Sequence, residues 1–559
     1  RLNWALLQVT NQIHAVFCDR PMADPLEEDG KLAQRFNVLR EAPGRNTPFT
    51  IPAVEVLSRE QVLRERAEQL RKAITPYLKN KPVIRSVRVS VYGFSRGAAE
   101  ARAFCNWLLE AYGNGVAGIP LQIDFLGIFD TVASVGIAHS APGGDGHFAW
   151  ASEANLRVPP AVRRCVHLAS VHEVRGSFPL DSIGSAPNCK EVFYPGVHSD
   201  VGGGYPPNDQ GRALGEGAVG DARKLSQISL AQMYRESLIA GVPLLPSNEL
   251  LKIRQADFQV HPDTIKLFNA YIESTRFGRV KAKGPLWLTE TQPLKPVSAL
   301  RGLHYGLFLA WRRSMLGKAH QLPGLKASTA GTHDEDIFDI RQADEELKKE
   351  IQFLEDPSKD KFDKVDIDPA MQAYGAVLAN SVPLFLGKSV EFLLKKYASI
   401  PMRAKQKEWD DYLKRAWYQE VEPNTIPLFE QLMHDSRAWF RVGQYHEPYQ
   451  MWGYVRYRHI YLPAGDKEPI ANEPEDHSEH ERKMAEARAQ AIEQEKADHQ
   501  RRMENLRQQK EAINERWKAN PRSPNATEVF READRVNHEQ MQRERQRHAQ
   551  AMAELSKKA

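Results

Sequence analysis

"SVRVSVYGFSRGAAEARAF", residues 86–104, decides the fold. Val87–Tyr92 is a short apolar run rich in β-branched residues, and from Ala98 to Tyr112 the residues Phe104, Trp107, Leu108 and Tyr112 recur at helical spacing. Between them stands Gly93-Phe-Ser-Arg-Gly97, a tight turn with Ser95 at its tip. Strand, turn and helix in that order open a βαβ unit.

Further apolar runs follow at Leu121–Phe129, Val162–Ala169 and Val192–Val197. Continuous runs of this kind suit strands buried on both faces, as in a parallel sheet covered by helices. The fold class is therefore α/β, a mostly parallel sheet with helices on both faces. Residues 1–245 are expected to form this catalytic domain, with 206–245 continuing helically.

Residues 246–465 are expected to form a mainly helical module, a membrane-interface or lid region that returns to the core at 434–463. Two stretches in it, 298–316 and 381–400, mix Leu, Phe, Trp and Tyr with Arg and Lys. That mixture suits a helix at an anionic bilayer surface, and equally an amphipathic helix packed on the catalytic domain. The polar stretch 333–369 reads as exposed helix and loop, and "GYVRYRHIYLP" (453–463) alternates like a strand. After residue 465 comes a charged tail, 466–559, whose sparse apolar residues (Met484, Ile492, Met503, Leu506, Ile513, Trp517) keep no heptad. An extended surface helix or a partly disordered segment is expected there.

The 559 residues allow two or three domains and a large core. A formal net charge of +4 leaves no footprint for nucleic acid. Cys18, Cys105, Cys165 and Cys189 are scattered, which argues against a disulfide framework or a structural zinc site and fits synthesis in a reducing cytoplasm. No run of about 18 apolar residues spans a membrane, and no secretory signal peptide is visible. The chain opens at Arg1 without a methionine, so an incomplete N-terminus is expected.

A nucleophile elbow needs small residues two positions either side of its serine, and Gly93 and Gly97 meet that need. The motif alone arises by chance in about one chain in ten of this length, but here the required strand precedes it and the required helix follows. The turn would expose Ser95 Oγ and place the backbone N–H of Arg96 where an oxyanion forms. A serine needs a histidine to take its proton and an acid to orient that histidine. Asp130, just beyond the run ending at Phe129, is the candidate acid, the alternative being an ordinary helix-cap or turn aspartate. Of the later histidines, His167 reads as a hydrogen-bonded core residue, while His139 and His147 lie in a Gly-rich loop, and His172 is a further candidate. His198 closes a strand and opens "HSDVGGGYP", whose glycines let the loop fold back over the serine. It is the candidate base, with Asp200 as rival acid or loop stabiliser. Gly202–Gly204 lacks the partners of a phosphate loop. His434, Asp435 and Arg437 in "HDSRAWF" (434–440) read as a structural polar network, with a pocket-lining role as the alternative.

Together "GFSRGAAEARAF" (93–104), "GIFDTVASVG" (127–136) and "YPGVHSDVGGGYP" (194–206) resemble the hydrolase domain of the first lipase-effector family of bacterial type VI secretion systems. The segments 434–440 and 453–463 are similar to that family's C-terminal part, so the resemblance covers roughly residues 1–465 and leaves the tail out. It implies an α/β-hydrolase acting as an A-type phospholipase through a Ser–Asp–His set that falls on Ser95, Asp130 and His198. It implies delivery into a rival cell's periplasm, a cognate immunity protein, and a possible secretion-spike partner. The family's Asp-Gly-Thr-Gly-Asn-like turn is not found here, so the second oxyanion donor is unassigned. No cofactor and no metal ligand is expected, and dependence on a divalent ion is left open. The other readings are a serine esterase acting on another acyl ester and a non-catalytic interaction protein on a hydrolase scaffold.

Overall fold

The structure is a computed structural model that describes residues 1–36, 58–77, 84–136, 146–184, 186–246, 249–275, 280–283, 288–291, 297–328, 333–356, 406–442, 445–446, 453–466, 477–519 and 526–557. Two compact units result, Arg1–Pro469 and Ile470–Ala559.

The first unit is built on four parallel strands, β1 (Val87–Phe94), β2 (Ile119–Phe129), β3 (Cys165–Ser170) and β4 (Cys189–Tyr194), side by side in chain order. The hairpin residues Gly115–Val116 add a short antiparallel strand against the start of β2. The central strands β2 and β3 are almost wholly buried, which is why they read as continuous apolar runs. The sheet belongs to the α/β class, with helices on both faces.

On one face lie α1 (Leu2–Cys18), α2 (Arg59–Ile74) and α3 (Arg96–Tyr112). Leu6, Leu7, Phe17, Leu63, Leu70, Trp107 and Leu108 from these helices form one core with Leu121, Ile123 and Ile128 of β2. The α2 helix is capped at its start, where Ser58 Oγ accepts the N–H of Gln61. The other face carries α4 (Ser226–Ile239), whose Ile228, Ala231 and Met233 join Phe125, Val166, Leu168 and Val192 in a larger core. Gly127 lets Met233 approach the sheet, because a Cβ there would press on the Met233 sulfur and on the Phe125 and Tyr92 rings.

That larger core continues through α5 (Pro262–Thr275), α6 (Val297–Ser314) and α7 (His333–Glu355) to Tyr454 and Val455. Of the two aromatic-basic stretches, 298–316 falls on α6, a packed helix with Leu300, Tyr305, Phe308, Leu309 and Trp311 buried. The other, 381–400, lies outside the described residues. The expectation of an exposed helix and loop from residue 333 is corrected by α7. Its Ile340, Ala343, Leu347, Ile351 and Leu354, spaced three or four apart, are buried in the core. Residues 453–463 are also not a full strand, since only Ile460–Tyr461 pairs, in parallel with Leu180–Asp181. The preceding residues are coil, buried from Gly453 to Arg456 and again at Arg458, whose polar groups bond to several other elements. Among the described residues no helix is long and apolar enough to cross a membrane.

The second unit consists of α8 (His477–Ala519) and α9 (Ala526–Lys557), which pair with each other. They meet without a heptad, through polar contacts and the Trp517 and Phe530 rings, 5.1 Å apart. Asn537 donates to the Leu506 carbonyl at 3.0 Å, Arg547 pairs with Glu495 at 2.8 Å, and the His499 and His548 rings stack at 4.0 Å. The sequence reads here as a charged surface helix or partly disordered tail with a second charged helical segment after 520–525, and what it leaves out is that the two helices pair.

Candidate active site

Ser95 occupies the turn between β1 and α3 with φ 59° and ψ −124°, a conformation that side chains other than glycine adopt at a cost of about 1–3 kcal/mol. The turn is held from both sides. Ser95 N–H donates to the Phe129 carbonyl at 3.0 Å, and its own carbonyl accepts from Val132 at 3.3 Å. Those two residues bracket Asp130 at the end of β2, so the sheet register itself sets the serine beside the aspartate. A Cβ on Gly93 would collide with the backbone of Gly97 and Ala98, whereas one on Gly97 would meet open space. The demand for a small residue falls on Gly93 alone, because the helix start bends toward position 93 while position 97 faces outward. The Arg96 N–H lies in the first helical turn, where N–H groups have no intrahelical acceptor.

Asp130 is fully buried and its backbone continues the β2–β3 ladder through a bond to the Leu168 carbonyl at 2.8 Å. Its carboxylate oxygens accept from His198 Nδ1 at 2.5 Å, from the Ser170 N–H at 2.8 Å, and from both terminal nitrogens of Arg458 at 2.8 Å. Burial pushes its pKa up, yet the Arg458 charge and the His198 bond outweigh that and hold the carboxyl far below the usual range. Asp130 is thus ionised near neutral pH and serves as an acceptor.

His198 begins the short helical turn His198–Gly202, four residues after β4 ends. Its backbone N–H donates to Glu173 Oε2 at 3.1 Å, and its ring lies between Phe94 (centroids 4.5 Å apart) and Phe178 (5.0 Å, edge to face). Burial lowers its pKa below the ordinary histidine value, Asp130 works against this, and Arg175 and Arg458 add to it. A buried imidazole that is neutral near pH 7, with Nδ1–H bonded to a carboxylate, keeps Nε2 free to accept a proton. Among the described residues no hydrogen bond joins Ser95 Oγ to His198. In a substrate-free site such bonds are commonly long and tighten when substrate binds.

Glu173 is missing from the sequence-based set. It takes Arg175 in a two-pronged ion pair at 2.9 Å on each oxygen, accepts from Ser436 Oγ at 3.1 Å, and so steadies the His198 backbone. Burial raises its pKa, but Arg175 brings it down to about 2. Arg175 in turn stacks on the Phe178 ring at 3.6 Å. Asp200, the rival acid, is bonded to Val197 and His434 rather than to His198. It accepts from the Val197 N–H at 3.0 Å and binds His434 through both the backbone N–H (3.1 Å) and Nδ1 (2.6 Å). His434 also stacks on Tyr205 at 3.8 Å. Asp200 is therefore the clasp of the histidine loop.

His167 is a core residue that accepts from Thr131 and pairs with Glu191 at 2.8 Å. His147 binds Asp181 at 2.5 Å, and His139 lies outside the described residues. His172 accepts the Gly196 N–H at Nδ1 (2.9 Å), and its Nε2 bonds Tyr271. Asp435 binds Tyr454, and Arg437 pairs with Glu346 at 3.4 Å, so the 434–440 segment is a buried polar network. Among the described residues no group of three or more His, Cys, Asp and Glu could hold a metal ion.

Residues 110–236 match the family model described as the type VI secretion phospholipase effector Tle1-like catalytic domain. That span contains Asp130, Glu173, His198 and Asp200 and begins after Ser95. No curated protein matches the sequence. A crystal structure of an uncharacterized protein from Pseudomonas aeruginosa is similar over 83% of this chain and 68% of that one, at 24% identity and a TM-score of 0.52, a likeness of fold. The structure of the Tle1 effector bound to the VgrG spike from the type 6 secretion system matches 38% of this chain and 58% of that one, at 21% identity and a TM-score of 0.26.

Proposed function

We propose that the protein is a serine phospholipase of the A type, hydrolysing acyl esters of membrane glycerophospholipids as a type VI secretion toxin. The observation that carries this reading is the buried Asp130–His198 pair at 2.5 Å set against the strained Ser95 turn. The match of residues 110–236 to a phospholipase effector domain supports a phospholipid as the substrate class.

His198 takes the Ser95 proton as Oγ attacks the ester carbonyl, and the Arg96 N–H receives the oxyanion at the positive end of α3. Collapse of the tetrahedral intermediate expels the lysophospholipid oxygen, which His198 protonates. Water, deprotonated by His198 in its turn, then attacks the acyl-serine and releases the fatty acid. Asp130 stays ionised throughout and stabilises the imidazolium that forms in each half-reaction. The same reading places the protein's action at the bilayer surface of a target cell's periplasm, with a cognate immunity protein in the producer and a secretion-spike protein as carrier.

The test is fatty-acid release from mixed-phospholipid vesicles by the full chain and by Ser95→Ala. Release by the former and loss of at least about a thousand-fold in the latter is the expected result. Release that survives Ser95→Ala removes the serine from the mechanism. Absence of release by the folded chain, with turnover of a simple acyl ester, would make it an esterase of another substrate class.

A further inference from the structure

We infer that Arg458 is a positioning residue of the catalytic set, which locks the Asp130 carboxylate toward His198 and by its charge fixes the pH at which Ser95 is activated. The inference rests on the assignment of Ser95, His198 and Asp130 to catalysis.

Arg458 reaches Asp130 from the far end of the unit and grips both carboxylate oxygens at 2.8 Å. This end-on fork, one terminal nitrogen to each oxygen, resists rotation of the carboxylate about its own axis, so Oδ2 stays directed at His198 Nδ1. The guanidinium is itself fixed from behind, with Nε donating to the Phe178 carbonyl at 2.7 Å and Nη1 to Ser170 Oγ at 3.0 Å. Arg458 is only 4% exposed, and two residues on the chain enters the strand Ile460–Tyr461 paired with Leu180–Asp181. Phe178 ties the parts together, since its carbonyl holds Arg458 while its ring packs on His198.

A lone buried carboxylate beside an imidazole makes it a stronger base and so keeps it protonated to higher pH. The Arg458 charge cancels much of that field. Three other charges face the imidazole. Asp130 holds Nδ1, Glu173 holds the backbone N–H, and Arg175 is paired with Glu173. The uncharged Phe94 and Phe178 rings pack against the imidazole as well. Arg175 also disfavours the protonated ring, but it is paired with Glu173, whereas Arg458 is bound to Asp130 itself and so sets how strongly that carboxylate pulls on the histidine proton. In accord with this, burial first and then Arg175 and Arg458 hold His198 below its ordinary value despite Asp130.

The experiment is the rate of covalent labelling of Ser95 by a fluorophosphonate as a function of pH, on the full chain. This probe reports the serine–histidine unit whatever the natural ester. In Arg458→Gln the acid limb of the profile is expected to move up by about one pH unit, as the Asp130 field is unmasked. In Arg458→Lys the charge remains, so the limb stays within about 0.3 units of the parent, while loss of the two-pronged grip lowers the plateau rate about ten-fold. A glutamine variant whose limb stays put, or a lysine variant whose limb moves as far as the glutamine one, overturns the inference. If the glutamine chain fails to fold, the lysine chain decides: a lowered plateau on an unmoved limb supports the inference, and an undiminished rate or a displaced limb overturns it. Failure of the parent chain to label would overturn the catalytic assignment itself, whereas a labelled parent with unshifted variants overturns only the role of Arg458.

Discussion

Gly202 packs against the ring of Phe94 so closely that a Cβ at position 202 would overlap it. Phe94 immediately precedes Ser95, and Gly202 closes the helical turn that His198 opens. The contact is therefore where the histidine loop seats on the serine turn. Gly202→Ala should destabilise the unit by about 1–3 kcal/mol through overpacking and lower Ser95 labelling more than ten-fold. Urea unfolding read beside the labelling rate checks this, and an unchanged labelling rate would detach the loop from the serine.

The two glycines of the elbow should respond in opposite ways. Gly93→Ala forces a Cβ into the backbone of Gly97 and Ala98, so loss of soluble, labelled protein is expected. Gly97→Ala, on the second residue of α3 with open space around it, should be neutral or stabilising by about 0.5–1 kcal/mol. Thermal melts of the two chains separate the outcomes. Equal damage at both positions would contradict the asymmetry.

His434 holds the Asp200 carboxylate that clasps the Val197–His198 backbone. In His434→Ala that buried carboxylate keeps only backbone donors, which should cost about 1–3 kcal/mol. The pH profile of labelling should stay in place, because His434 acts on the loop and not on the proton held by His198. A profile displaced by the alanine would show that His434 acts on the imidazole itself.

A buried chain of hydrogen bonds predicts how stability depends on pH. Tyr271 O–H bonds His304 Nδ1 at 2.8 Å and His172 Nε2 at 3.1 Å, while His172 Nδ1 accepts from Gly196 at 2.9 Å. Burial brings His304 down to about 4 and lowers His172 as well. A histidine depressed in the folded state leaves the unfolded chain binding the proton first. The resulting stability is complete above about pH 6.5 and is lost as pH falls toward 4, by on the order of 3 kcal/mol for His304. The depressed carboxyls of Asp130 and Glu173 add a separate loss only at lower pH. Urea midpoints at pH 7 and pH 4.5 measure the first effect, and His304→Gln should flatten it. A midpoint that does not move between these values would show the network to be open to solvent.

Much of the sheet was legible because each strand announces itself locally. Val87–Phe94 and Ile119–Phe129 are apolar runs bounded by turns, and β3 and β4 overlap the runs that begin at Val162 and Val192. The α7 helix was equally legible in principle, since Ile340, Ala343, Leu347, Ile351 and Leu354 sit on one stripe. Its acidic and basic remainder masked that stripe in a reading by composition. The tail pairing was hidden because Asn537, Arg547 and His548 meet α8 through polar atoms, for which spacing gives no sign.

The sequence by itself determined the elements around Ser95 and the residue types available for acyl transfer. A strand, a glycine-bounded turn and a helix are short-range consequences of backbone sterics and apolar periodicity, which act within a dozen residues. Only the tertiary structure decided which charges meet. Arg458 lies 328 residues from Asp130, and His434 lies 234 from Asp200. No local pattern encodes such a pair, because taking both charges out of water is costly and is offset only where the tertiary packing brings the partners into close, fully hydrogen-bonded geometry.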